Sequence, residues 1–270
     1  MKRYLRTIVP LAAVASMASS AQDVNIREDR DRQMDSLVIN FQHLEDAWLN
    51  ADSTGRELNY GAHDGALAGK APQGCTYLLR LLDLPQLLGP DKVILGCRLY
   101  VFISHGDGMS GNKTVGALRV FKPWVAGTLD GQNPGQSEGC TFNDWSADSL
   151  EWALPGGHYQ NDTGTDNTGD GEGADCMQTP ESLVLIPQTA AYPWVTPGYR
   201  VWEISPGLVQ GWYQGTIANN GLALKTVYPW GWAHIRSEEY ADHTKRPYFV
   251  VTYLTSSPVT PDTTRLRVLD

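Results

Sequence analysis

From Leu37 onward the apolar residues of this chain come in short parcels, rich in Val, Leu, Ile and aromatics and cut apart by Gly, Pro and Asn. Leu37-Val-Ile-Asn-Phe41, Asp46-Ala-Trp-Leu49, Tyr77-Leu-Leu-Arg-Leu-Leu82, Val93 to Ile103 and Val115 to Lys122 are such runs. A turn-rich stretch ends at Asn59-Tyr60-Gly61, and two prolines and a glycine between Pro85 and Asp91 turn the chain between two runs. β-favouring segments broken by turn residues at this rate mark an all-β fold. One helical turn is predicted from Ser205 to Trp212. Ser205 stands at the cap, Pro206 at the tolerated first position, Leu208 and Trp212 share a face at i,i+4, and Gly215 ends it. From about Gly127 to Pro197 the chain reads mostly as loop, with Gly, Asp, Asn and Thr crowded at 161–175.

The first residues, Met1-Lys-Arg-Tyr-Leu-Arg, lead into an apolar stretch from Ile8 to Ala18 and then Ser19-Ser20-Ala21. A basic head, a short apolar core and small residues describe a secretory signal peptide over 1–21, too short to span a bilayer stably. A charged leader over 22–35 is expected next, then one large β domain over 36–254 and a tail over 255–270. No second long apolar run follows, so the mature protein is expected to be exported and not membrane-spanning, at the cell surface or beyond it. Formal charge falls from −9 to −12 on cleavage, because the leading segment carries Lys2, Arg3 and Arg6 and no acid. Nucleic acid, which needs clustered cations against phosphates, is excluded as an expected partner.

An exported chain with four cysteines reads as disulfide-bonded, and four cysteines allow three pairings. Cys75 with Cys97 and Cys140 with Cys176 are favoured. The first two lie in consecutive strand candidates, and the second pair would close a long polar loop. Metal ligation by cysteine lacks support, since no C-x-x-C pair appears.

Toward the carboxyl end stand Trp202-Glu-Ile-Ser-Pro-Gly-Leu-Val-Gln-Gly-Trp212, Asn219-Asn-Gly-Leu-Ala-Leu-Lys-Thr226, Arg236-Ser-Glu-Glu239 and Arg246-Pro-Tyr-Phe-Val-Val-Thr-Tyr253. Earlier come Asn59-Tyr60-Gly61, Leu78-Leu79-Arg80, Leu99-Tyr100-Val101, Trp124 with Gly127, Gly139-Cys-Thr-Phe-Asn143, Trp152 and Gly156-Gly157. This ordered set resembles the DNRLRE-type β-sandwich domain, over roughly residues 36 to 254. It departs from that pattern at Phe142, where Trp is usual, by one extra residue after Arg80, and in an apparent insertion from His158 to Ala190. The resemblance implies a two-sheet, jelly-roll-like antiparallel sandwich. It also implies a secreted protein similar to the carbohydrate-binding modules of alginate-active enzymes, holding a ligand rather than transforming it. Trp124, Trp152 and Trp212 match pattern positions expected in the core.

Enzyme signatures such as H-E-x-x-H, Gly-x-Ser-x-Gly or a P-loop are absent from the sequence. His63, His105, His158, His234 and His243 are scattered, and acid pairs such as Asp144 with Asp148 or Glu238 with Glu239 read as solvated carboxylates. A polysaccharide lyase or hydrolase is thus the lesser alternative. Aromatic turns carry more information: Tyr192-Pro-Trp194 recurs as Tyr228-Pro-Trp230, extended by Gly231-Trp232. Pro and Gly hold such rings on turns, where an indole can stack on the C–H face of a sugar; the competing reading is that they cover the sandwich end. Cations beside the strands include Lys225 and Arg236, which suit an acidic polysaccharide, although Arg236 reads more readily as the internal partner of Glu238. Asp162, Asp166 and Asp170 crowd one Gly-rich loop and suit calcium, with a solvated loop as the competing reading and no cofactor otherwise required. The expectation is a secreted, non-catalytic polysaccharide-binding sandwich. The rival is a structural or adhesive component of a matrix, surface layer or filament that self-associates.

Overall fold

The structure is a computed structural model describing residues 33–69, 74–107, 111–134, 139–146, 150–153, 155–157, 175–177, 179–226 and 232–255. The expected signal peptide, most of the leader and the tail lie outside the described residues, as do Asp162, Asp166, Asp170, Tyr228 and Trp230.

Two antiparallel sheets pack face to face. The larger joins β1 (Gln33–Ile39), β11 (Tyr248–Thr255), β5 (Lys92–Asp107), β10 (Trp232–Arg236) and β3 (Gly65–Gly69) in that order, with β8 (Gly198–Ile204) also paired to β5. The smaller has the order β2 (Leu44–Leu49), β4 (Thr76–Leu81), β9 (Leu222–Thr226), β6 (Lys113–Arg119) and β7 (Ser182–Ile186). The expected all-β sandwich is therefore the fold. Between the sheets, Leu99, Val101, Ile103, Trp202, Phe249 and Val251 of the larger sheet meet Tyr77, Leu79, Val115, Leu222 and Leu224 of the smaller. Among the described residues, two α-helices accompany the sheets. Pro85 to Asp91, predicted as a plain turn, contains α1 (Leu84–Leu88), whose Leu84 and Leu88 are buried. The predicted helical turn is α2 (Pro206–Gln214), ended by Gly215 at φ +69° with Trp212 buried; Ser205 occupies the cap position but makes no side-chain capping bond.

A second apolar layer lies on the far face of the smaller sheet. Ala47, Leu49, Leu78 and Ala223 point that way, and Trp124, Cys140, Phe142 and Trp152 cover them. Trp124 Nε1 donates to Asn220 O and Trp152 Nε1 to Thr141 O, so each buried indole has an acceptor. Much of the stretch read as loop is therefore a packed cover, and β7 is a strand within it where an insertion was expected.

This third layer also explains why the favoured disulfides do not form. All four cysteines are buried, and no disulfide joins them. Cys97 belongs to the layer between the sheets, whereas Cys75 and Cys140 pack in the layer beyond the smaller sheet, so a sheet separates Cys75 from Cys97. Cys176 bridges to Val120, and its Sγ donates to Gly157 O instead of meeting Cys140. Burial pushes the thiols of Cys97 and Cys140 well above the usual range, which keeps them protonated.

Candidate functional site

Strand alternation turns one set of β5 side chains inward and the other outward. Leu99, Val101 and Ile103 are buried, which places Tyr100 and Phe102 on the outer face of the larger sheet. Register brings the corresponding residues of neighbouring strands beside them: Tyr248 pairs with Tyr100, and Tyr199 with Phe102. The Tyr100 and Tyr248 rings stack 4.5 Å apart at 7°. Tyr199 stands edge-on to Tyr100, Phe102 and Tyr248. Its hydroxyl lies 2.8 Å from the carbonyls of Thr244 and Arg246, tying the ring to the segment before β11. Four half-buried rings thus form one continuous patch. Lys245 Nζ lies 5.7 Å from the Phe102 ring and the Arg246 guanidinium lies 4.2 Å from the Phe41 ring, both within cation–π reach. A cavity of about 360 Å³ opens at this end, with Phe41, Tyr199, His243, Arg246 and Tyr248 in its walls.

A second group stands where β5 passes β10. His105 and His234 are opposite each other in register, and their rings stack 3.6 Å apart at 17°. Trp232 Nε1 donates to His234 Nε2 at 3.0 Å. The turn before β8 supplies Tyr192, whose ring is 71 % exposed and 6.0 Å from His105. Gly106 N donates to Pro193 O at 2.9 Å, which fixes that turn against β5. Burial, then the charge of Arg236, lowers His105; burial, then His105 itself, lowers His234 to about 4. Beside His234, a cavity of about 160 Å³ is walled by Trp48, His63, Asp64, Gly65 and Arg236. Trp48 stacks on His63 at 5.5 Å and leans on Tyr60 at 4.6 Å.

Of the residues expected to bind, the structure brings Tyr192, Trp232 and Arg236 into this neighbourhood. Trp194 is half-buried at φ +62° in the Tyr192 turn, its N–H held by Ala191 O. Lys225 is excluded. It is 2 % exposed on the other sheet, beneath the cover layer, and its Nζ donates to Gly157 O. Arg236 makes no ion pair with Glu238; its guanidinium lies 4.2 Å over the Tyr240 ring.

Sequence reasoning missed the Tyr100, Phe102, Tyr199 and Tyr248 patch and the two histidines. The alternation of Leu99-Tyr-Val-Phe-Ile103 was the available signal, but strand neighbours about a hundred residues away or more required the register. A third group was weighed only as Glu238 with Glu239: their carboxylates lie with that of Asp46 within 4.8 Å of one another. Asp46 is 1 % exposed and accepts from the Tyr77 hydroxyl and from Glu238 N. Burial first, then the Glu239 charge, raises Asp46 well above the carboxylate range, and burial raises Glu238 to about 9. Burial thus favours the protonated form of Asp46 and of Glu238 in this cluster. No protein-family model and no curated protein matches this chain.

Proposed function

We propose that this protein is a non-catalytic polysaccharide-binding sandwich of the DNRLRE type, exported to the cell exterior, with its binding surface on the outer face of the larger sheet. The observation that carries this reading is the patch of Tyr100, Phe102, Tyr199 and Tyr248, continued along β5 by His105, His234, Trp232 and Tyr192. A sheet that needed only solvation would carry polar outward residues; a run of half-exposed rings keeps apolar faces at the surface, where contiguous patches mark contacts. Sugar rings offer matching C–H faces, and the hydroxyls and nitrogens at the ring tips bond sugar hydroxyls. The row runs along a sheet face and so suits an extended polymer, whereas a small molecule calls for an enclosing pocket.

Retardation of the protein in native gels containing plant, algal or bacterial polysaccharides tests this. At least one polymer should retard it, and Tyr192→Ala and Trp232→Ala should each weaken that retardation without lowering the melting temperature. Indifference to every polymer in the panel would support the rival reading of a structural building block.

A further inference from the structure

We infer that the stacked pair His105 and His234 is a hydroxyl-reading subsite that selects neutral sugars, offering one fixed acceptor and one fixed donor to neighbouring hydroxyls of a single ring. It rests on the polysaccharide-binding reading and specifies the chemistry of that same face.

The hydrogen bonds assign both tautomers. An indole N–H is a donor only, so His234 Nε2, which receives Trp232 Nε1–H, must be bare. A neutral His234 then carries its proton on Nδ1. Ser104 Oγ donates its one proton to His234 O, so the same oxygen accepts from His105, whose Nδ1 lies 2.9 Å away. His105 therefore carries its proton on Nδ1 and leaves Nε2 bare. The two nitrogens left over, His105 Nε2 and His234 Nδ1–H, have no partner among the described residues, and neither is sealed from solvent. Stacking at 3.6 Å and 17° holds the two rings that carry this acceptor and this donor against each other, beside the exposed ring of Tyr192.

A carboxylated sugar meets this pair badly, because a carboxylate has no proton to give the bare lone pair of His105, whereas a hydroxyl does. The charged and titratable groups around the pair are Asp107 on β5, Arg236 on β10, and His63 and Asp64 across the cavity beside β3. Proton uptake would convert the acceptor to a donor, place like charges in the stack and remove the acceptor of Trp232 Nε1. Neutral imidazoles are held because burial lowers both groups, so the subsite is intact at neutral pH and fails only in acid.

Affinities of the full protein for soluble neutral glucans, galactans, mannans and xylans and for polyuronates, measured by gel retardation from about pH 8 to about pH 4, test this. A neutral polymer should bind best, with affinity steady down to about pH 6 and about tenfold lower by about pH 4, the worth of one hydrogen bond. His105→Phe, which keeps a stacked ring and removes the acceptor, should lower that affinity about tenfold at neutral pH and flatten the acid step. A His105→Phe protein that binds neutral polymer as tightly as the parent, or a parent that prefers polyuronate, overturns the inference while leaving polysaccharide binding standing. Failure of the folded parent to bind any of these polymers overturns both.

Discussion

Asn59 shows how one side chain can tie the chain together. Fully buried, it donates from Nδ2 to Ala126 O at 2.6 Å and Cys140 O at 2.8 Å, and Oδ1 accepts from Leu129 N and Gly61 N. All four hydrogen-bonding positions of the amide are used. The glycines around it answer to the same crowding: a Cβ on Gly61 would lie 2.2 Å from Ala126 O, and one on Gly127, at φ +78°, would lie 2.6 Å from Asn59 Oδ1. Asn59→Asp turns two donors into an acceptor facing two carbonyls and should cost at least 3 kcal/mol, roughly two unsatisfied buried groups, seen as a lowered midpoint in urea. The Asn59-Tyr60-Gly61 turn was legible in the sequence as a pattern; its partners near residues 126 and 140 were not, because no local spacing encodes them. Asp46 and Glu238 add a pH dependence. Their raised carboxyls keep protons in the folded state that the unfolded chain has lost, so their contribution is complete below about pH 4 and is lost toward about pH 9. His234, lowered to about 4, acts oppositely, and its contribution is lost as pH falls from about 6.5. Between about pH 4 and about pH 6.5 two carboxyls oppose one imidazole, so these groups together place the melting-temperature maximum near about pH 4, with a shallow fall to about pH 6.5 and a steeper one toward about pH 9. Asp46→Asn keeps an acceptor for Tyr77 and Glu238 N, so it should flatten the alkaline limb; a limb that stays equally steep would exclude the cluster as its cause.

The elements divide by how many of their faces are covered. In β5, buried inward residues alternate with exposed or half-buried outward ones, and that strand was plain in the sequence. In β4 and β9 nearly every residue is buried, because the sheet core covers one side and the Trp124, Phe142 and Trp152 layer the other. Antiparallel strands usually leave one face to water, so this second covering is what the long connecting segment supplies. Its fold was illegible because its order comes from tertiary packing and not from its own period. Strand β3, Gly-Ala-Leu-Ala-Gly, has too little β propensity to be read locally and exists through its register with β10. Trp124 has no exposed surface and bonds Asn220 O, so Trp124→Ala should cost about 3–5 kcal/mol in chemical denaturation, as should Trp212→Ala in α2. A loss below about 1 kcal/mol at Trp124 would mean that the cover layer is not part of the cooperative core.

At the scale of the whole molecule, the two sheets have different roles. The smaller is covered on both faces at β4 and β9, with Leu183 and Leu185 exposed on its edge strand β7, while the larger keeps a ring-lined face outward. The sandwich and the core positions of Trp124, Trp152 and Trp212 were legible in the sequence. The site was legible only in part: Tyr192, Trp232 and Arg236 reach it, Lys225 is buried across the molecule, and the tyrosine patch emerges only when β5, β8 and β11 are aligned. The most direct measurement of that face is polysaccharide retardation of a Tyr100→Ala/Tyr248→Ala variant beside the parent. Each lost ring should weaken binding by about 1–3 kcal/mol, by analogy with base stacking on aromatic residues, so the double variant should run almost unretarded while its melting temperature changes little. Retardation equal to that of the parent would contradict binding on the larger sheet.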